Sequence, residues 1–417
     1  MAITLQQIFQ TSFDAYASSH RMALKQHQAA QAILNCRTPA QGGHVQRCPD
    51  GHEAHIQYHS CRHRSCPQCN TLPKEQWLLK QRERLLPIDH YHLIFTLPHE
   101  LLSFWRYNQH WMTHTMFRVI SDTLLTLSKD SKHLGALPGF ILSLHSWGRN
   151  LSLHPHIHCL FTGGGLQQDG GWCGVKNSFL FPSRVVRQLY RGKFMAAFGQ
   201  GLRSGELIVP PHLSEKALTA CIKQVYRKDW HVRVQPPYQH GQGVVMYLSR
   251  YVKGGPLASQ RIVSADDKQV TFRFKDHRDG KNKTLTLNTP HFIERLLDHV
   301  AEPRQHVIRH FGLYGHQAKE KRQQCRAHLG LAPESDASSL SWDQFLQQFP
   351  NKDNGRCSTC GKPLVRAMGI SKNSLYKVQG RGNVQPSVQP NIKTWQLAKQ
   401  KPPNDLNYFF DSLMSVN

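Results

Sequence analysis

Between Cys36 and Asn70 the chain is broken by Pro39, Gly42, Gly43, Pro49, Gly51 and Pro67 and offers few apolar side chains to bury. A segment like this cannot offset the entropy of ordering itself and needs a staple. It carries five of the eleven cysteines, at 36, 48, 61, 66 and 69. The opening residues Met1-Ala2-Ile3-Thr4-Leu5-Gln6-Gln7 lack a basic segment followed by an apolar core. Clustered thiols without an export signal point to structural Zn2+ in a reducing compartment rather than to disulfides. Cys66-x-x-Cys69 has zinc-knuckle spacing, Cys61 is close enough to share the ion, and Cys48, thirteen residues before Cys61, completes a tetrahedral set. Cys36, His44 and His52 remain, so Cys36 or His52 can replace one of the four, or a second ion sits nearby. Arg47, Arg62, His63 and Arg64 among these ligands suit DNA recognition. Cys357-x-x-Cys360 has no second pair after it; with Cys325 it is a half site at best, and it reads equally well as a surface pair.

Charge narrows the partner. The 417 residues hold 52 Lys and Arg against 27 Asp and Glu, a formal charge of +25 spread along most of the chain, and 39% hydrophobic content is enough for real cores. A folded chain this basic binds a polyanion. No apolar run approaches the ~20 residues of a spanning helix. The expectation is a soluble cytoplasmic protein, associated with the nucleoid when bound to DNA, with no membrane partner.

The periodicities predict a helix over 3–35, a basic helix from Lys74 to Leu86 opened by Pro73, and a strand from Tyr91 to Leu97 ended by Pro98. Helical text follows to about Leu127. Phe140 to Trp147 and Leu153 to Phe161 read as strands joined through a tight turn at Gly148-Arg149-Asn150, an antiparallel hairpin. Gly163-Gly164-Gly165 lacks phosphate-loop spacing and reads as a turn. Helices near 183–200 and 214–227 precede a strand from Trp230 to Val234. Gly241 and Gly243 open a further helix, which Gly254-Gly255-Pro256 stops. Short strands follow at Arg261–Val263, Val270–Phe274 and Thr284–Leu287, then an apolar helix from Phe292 to Val300. No acidic residue lies between Asp353 and Asp405. Three segments result: helix and zinc module at 1–86, a catalytic segment at 87–315, and a basic, partly disordered region at 316–417.

The hairpin carries the chemistry. In a strand, His156 and His158 point to one face and His154 joins them, a ready site for a divalent ion such as Mg2+ or Mn2+. A third ligand is expected, His145 across the hairpin first, with His154 and His92 behind it. Downstream, Tyr247 and Tyr251 stand one helical turn apart. An ion bound to a phosphodiester neutralises its charge, and a tyrosine whose anion is favoured by Lys253 or Arg250 attacks it, leaving a 5′-phosphotyrosine and a free 3′ hydroxyl. No nucleotide cofactor is needed, because the covalent link conserves the bond.

These residues resemble a known group, the HUH single-strand endonucleases, and within it the two-tyrosine rolling-circle transposases of the insertion-sequence ninety-one type. The matching text runs from Cys36-Arg37-Thr38-Pro39 and Gly42-Gly43-His44-Val45 through Ser60-Cys61-Arg62-His63-Arg64-Ser65-Cys66-Pro67-Gln68-Cys69 to His92-Leu93-Ile94-Phe95-Thr96-Leu97-Pro98. It continues with Leu144-His145-Ser146-Trp147-Gly148, His154-Pro155-His156-Ile157-His158-Cys159, Tyr247-Leu248-Ser249-Arg250-Tyr251 and Thr271-Phe272-Arg273-Phe274-Lys275-Asp276. Family members usually carry a second cysteine shortly after the one matching Cys48; here Cys48-Pro49-Asp50-Gly51-His52 offers His52 as its substitute. The resemblance implies an α+β fold, an antiparallel sheet flanked by helices with the metal histidines on a central strand and the tyrosines on a helix laid against it. It implies nicking and joining of single-stranded or hairpin DNA at element ends and at target DNA. A plasmid rolling-circle replication initiator or relaxase uses the same chemistry, and a zinc-dependent DNA-binding regulator would explain the charge and cysteines while leaving the histidines and tyrosines idle.

Overall fold

The structure is a computed structural model and describes residues 3–69, 71–238, 255–276, 279–334, 344, 355–374, 376–379 and 383–386. The chain divides into two compact units, one formed by Met1–Thr38 with His59–Asn354 and the other by Pro39–Tyr58 with Gly355–Asn417. The fold is α+β with antiparallel sheets.

In chain order, helices α1 (Leu5–Ser19) and α2 (Leu24–Asn35) are followed by strands β1 (Gly43–Arg47) and β2 (Ala54–Tyr58). Helix α3 (Thr71–Arg84), strand β3 (His90–Thr96) and helices α4 (Leu102–Tyr107) and α5 (Gln109–Lys129) come next. Strands β4 (Leu137–Trp147), β5 (Leu153–Leu166) and β6 (Trp172–Gly174) lead to helices α6 (Ser183–Arg203) and α7 (Glu215–Arg227) and strand β7 (Val232–Val234). Beyond lie β8 (Ile262–Ala265), β9 (Gln269–Lys275), β10 (Asn282–Asn288), helix α8 (Thr289–Leu297), β11 (Ile308–Gly312) and helix α9 (Lys319–His328). Strands β12 (Val365–Ile370), β13 (Tyr376–Gln379) and β14 (Asn383–Pro386) close the described chain.

The larger unit is organised by one sheet in the order β11-β4-β5-β3-β7, with β6 added to the end of β5. Strict alternation along the three inner strands sorts their side chains. Tyr91, Leu93 and Phe95 of β3, Phe140, Leu142 and Leu144 of β4, and Ile157, Cys159 and Phe161 of β5 join the largest core. Met112, Met116, Phe117 and Ile120 of α5 and Tyr190, Phe194 and Phe198 of α6 complete it. The residues between them face the other way. Ile141 and Leu160 there pack with Leu78, Leu85, Leu86 and Tyr314, and His90, His92, His145, His156 and His158 share that face with Ile94, Thr96, Ser143 and Thr162.

The expected hairpin forms with Phe140 opposite Phe161 and His145 opposite His156. Its turn runs longer than Gly148-Arg149-Asn150: the Gly148 N–H donates to the Ser152 carbonyl at 2.8 Å, and Leu151 adopts φ +63° with its side chain fully buried. Burial of an aliphatic side chain at a left-handed position offsets the backbone strain that a glycine there would avoid.

The helix predicted over 3–35 is instead a helical hairpin. Thr4 and Gln7 form a reciprocal cap at the start of α1, and the chain leaves the helix at His20, whose ring stacks on Tyr16 at 4.3 Å. Neither glycine nor proline marks the break. What selects it is tertiary: Phe9 and Phe13 of α1 and Ala29, Ala30 and Ile33 of α2 share one core with Phe272 of β9 and Phe292, Ile293 and Leu296 of α8, which a single rod would not bring together. Asn288 caps α8, accepting from the His291 N–H at 2.9 Å, with Pro290 in its first turn.

The smaller unit is a three-stranded sheet, β12-β1-β2, with β13 paired to β14. Its apolar core among the described residues is only Val45, Ala54 and Ile370, with Ile56 packed against them. Part of the region 316–417 thus has regular structure, since α9 and β12 both lie in it.

Candidate functional site

Because β5 is flanked on both sides, the register of its neighbours decides what its histidines meet. His156 lies between His145 of β4 and Thr96 of β3, and His158 between Ser143 and Ile94. One ring nitrogen each from His145, His156 and His158 can be chosen so that all lie within 4.8 Å of one another. His156 Nε2 and His158 Nε2 are 3.0 Å apart, and the ring centres of His145 and His158 are 4.3 Å apart.

The outer nitrogens fix which atoms face inward. His156 Nδ1 lies 2.7 Å from the His154 carbonyl oxygen, a contact only an N–H can make, so its Nε2 keeps the lone pair. His158 Nδ1 meets His92 Nε2 at 2.8 Å, and His92 Nδ1 meets Gln235 Oε1 at 3.2 Å. The amide oxygen of Gln235 accepts only, so His92 is a donor at Nδ1 and an acceptor at Nε2; His158 then donates from Nδ1 and also keeps its Nε2 lone pair inward. Tyr238 hydroxyl donates to the same Gln235 oxygen. Burial drives the His145 and His158 pKa values well below the ordinary imidazole range and that of His156 down to about 4, with the neighbouring histidines adding to the effect. His92 is lowered too, chiefly by burial. All are neutral at pH 7, as metal ligands must be.

The spacing fits a divalent ion. Two nitrogens about 2.1 Å from a metal stand about 3.0 Å apart at a right angle and about 3.4 Å apart at the tetrahedral angle. The 3.0 Å between His156 and His158 matches adjacent octahedral positions, the geometry Mg2+ and Mn2+ adopt. Of the residues read as third ligands, His145 is in the cluster. His92 supports His158 from behind, and His154 contributes its carbonyl to His156. Gln235 carries no sequence signal of its own. Tyr247, Tyr251 and Lys253, together with Arg250, lie outside the described residues.

The cysteines group differently from their spacing. Cys36, Cys61, Cys66 and Cys69 bring their sulfurs within 4.8 Å of one another, with Cys61 and Cys69 at 3.6 Å. A tetrahedral Zn–thiolate site sets sulfurs about 3.8 Å apart, so these four residues fit zinc. Hydrogen bonds from the Cys61, Cys66 and Cys69 thiols pull the Cys36 pKa below its usual value. Cys36 and Cys66 are buried at the margin of the core containing α1, α2 and α8. Gln6 donates through Nε2 to the Leu34 and Cys36 carbonyls at 2.9 and 2.8 Å and so fixes the end of α2 beside the cluster.

Cys48 is therefore a correction. The fourth partner of Cys61, Cys66 and Cys69 is Cys36, and Cys48 stands instead with His52, Cys357 and Cys360. Local spacing pointed to Cys48, but β1 and β2 carry it into the smaller unit. Cys325 joins neither group; it is buried in an apolar cluster with Leu313 and Tyr314. Arg64, read as a DNA contact, is half-buried and donates to the Gln305 carbonyl at 2.7 Å.

Comparison with known proteins gives concordant results. A family model described as "Transposase zinc-binding domain" matches residues 8–97, and one described as "Putative transposase" matches residues 139–322. The protein described as "Putative transposase y4qJ" in Sinorhizobium fredii is 33% identical over 364 residues, 85% of this chain and 92% of the relative. The transposase for insertion sequence element IS801 in Pseudomonas savastanoi pv. phaseolicola is 27% identical over 347 residues, 81% of this chain and 82% of that relative. No solved structure matches. No helix among the described residues is long and apolar enough to cross a membrane.

Proposed function

The chain belongs to the transposases of the insertion-sequence ninety-one type, with an N-terminal zinc-binding domain, and from that premise we propose that it nicks and joins single-stranded DNA at element ends through a 5′-phosphotyrosine, moving the element by a rolling-circle route. What carries this reading is the cluster of His145, His156 and His158 on one sheet face, with the Nε2 lone pairs of His156 and His158 turned inward and those two atoms 3.0 Å apart. Its relatives are transposases, so the DNA-binding regulator falls away.

We assign metal binding to these three histidines, the nucleophiles to Tyr247 and Tyr251, and support of the tyrosine anion to Lys253. A bound Mg2+ or Mn2+ supplies charge neutralisation at the scissile phosphate. A tyrosine oxygen attacks phosphorus, forming the Tyr–O–P bond as the P–O3′ bond breaks, and the departing 3′ oxygen ends as a hydroxyl. In joining, a 3′ hydroxyl attacks the phosphotyrosine and the phenol is released. Two tyrosines permit two ends to be held at once. The segment 87–315 carries this chemistry, and 1–86 recognises DNA. The preference for single-stranded or hairpin DNA follows from the need to present an unpaired backbone to a tyrosine.

The experiment is nicking of a single-stranded element end by His156→Ala and His158→Ala across a titration of Mn2+. Each variant should lose at least about 100-fold in rate while retaining DNA affinity within a few-fold, because the basic surface is untouched. Cutting near the wild-type rate by either variant would remove these residues from the reaction.

A further inference from the structure

The cysteine pair Cys357-x-x-Cys360 finds its partners some three hundred positions upstream. Cys48 Sγ lies 3.5 Å from Cys360 Sγ and 3.5 Å from His52 Nδ1, and Cys357 Sγ lies 3.8 Å from the same nitrogen. All four ligand atoms fall within 4.8 Å of one another. A tetrahedral zinc ion with three thiolates and one imidazole demands about 3.8 Å between sulfurs and about 3.6 Å between sulfur and nitrogen. We propose that Cys48, His52, Cys357 and Cys360 bind a second structural zinc ion, which fastens the two sequence-distant halves of the smaller unit to each other.

Three further observations in the same unit support it. Each ligand pair sits in a turn closed by a glycine in the left-handed region: Gly51 (φ +76°) donates to the Cys48 carbonyl at 3.0 Å, and Gly361 (φ +70°) to the Cys357 carbonyl at 2.9 Å. Such paired knuckles aim two ligands apiece at a common point. The knuckles are also clasped to each other. Lys362 pairs with Asp50 at 2.9 Å, and the Glu53 carboxylate accepts the Ser358 N–H at 2.6 Å and its hydroxyl at 3.0 Å. Finally, the apolar core among the described residues here, Val45, Ala54, Ile370 and part of Ile56, is small for closing a loop of this length. An ion bound from both sides supplies the closure.

The test uses the full-length protein, washed free of loose metal. Elemental analysis should find two zinc ions per chain, and the Cys357→Ser/Cys360→Ser variant should keep one. Should that variant fail to fold, X-ray absorption at the zinc edge of the wild-type protein decides. Averaged over both sites, the shell should contain about 3.5 sulfurs and about half a nitrogen per zinc, whereas a lone Cys36–Cys61–Cys66–Cys69 site gives four sulfurs and no nitrogen. One zinc per chain with an all-sulfur shell, two zincs retained by the double variant, or a mapped disulfide between Cys48 and Cys360 would each overturn the proposal.

Discussion

His92 is the residue whose role differs most from its appearance. It faces the histidine cluster and carries two ring nitrogens, yet both are engaged behind His158, one toward His158 Nδ1 and one toward Gln235. A ligand held by such a relay keeps its tautomer and ring angle, and removing an outer partner of this type typically costs 10–100-fold in metal affinity. His92→Ala should therefore raise the Mn2+ concentration needed for half-maximal nicking by about 10- to 100-fold and recover much of its rate when Mn2+ saturates. An unchanged metal requirement would show that the relay is idle. The His156–His158 pairing was legible in the sequence because strand alternation alone puts i and i+2 on one face. Gln235 was not, since its importance comes entirely from the placement of β7 beside β3.

Among the elements, β3, β4 and β5 were readable because each is a compact apolar run bounded by breakers: Pro98 after β3, Gly148-Arg149-Asn150 between β4 and β5, and Gly163-Gly164-Gly165 in the later part of β5. The break between α1 and α2 was hidden: His20-Arg21-Met22-Ala23 contains no helix breaker, and only the shared core with α8 and β9 demands it. Cys48 shows the same limit from another side. A spacing rule connects neighbours in sequence, whereas β1 takes its second partner from β12, more than three hundred residues later. The edge strand β11 offers a sharper test of local construction. Gly312 adopts φ +56°, and a Cβ there would stand 1.9 Å from the Pro138 carbonyl oxygen on β4. Gly312→Ala should destabilise the larger unit by about 3 kcal/mol, because both the backbone and the strand pairing must yield. Urea unfolding followed by tryptophan fluorescence measures it, and a loss below about 0.5 kcal/mol would mean that β11 shifts freely.

For the whole molecule, pH is the informative variable. Beyond the cluster of His145, His156 and His158, His90, His299 and His310 are each held by burial at a pKa of about 4. His90 donates from Nδ1 to the Ile88 carbonyl at 2.8 Å and accepts the Tyr314 hydroxyl at Nε2 at 2.7 Å. In the unfolded chain these rings titrate near 6.5, so at intermediate pH the unfolded state binds more protons. Their contribution is fully present above pH 6.5 and is lost as pH falls toward 4, at about 1.4 kcal/mol per ring for each pH unit. Unfolding midpoints measured from pH 7 to pH 4.5 should fall steeply, and His90→Gln should flatten the slope; a level profile would contradict neutral burial.

The basic charge, the zinc-binding domain and the histidine face converge on one reaction, and the tyrosines are where it can fail. The most direct measurement is incubation of wild-type protein and the Tyr247→Phe/Tyr251→Phe double variant with labelled single-stranded element ends and Mn2+, run on a denaturing gel. Phenylalanine keeps ring packing and removes the attacking oxygen. The wild type should give a covalent protein–DNA band, with the DNA joined through its 5′ phosphate to Tyr247 or Tyr251, and the double variant none. A band of equal strength from the double variant would contradict the phosphotyrosine mechanism.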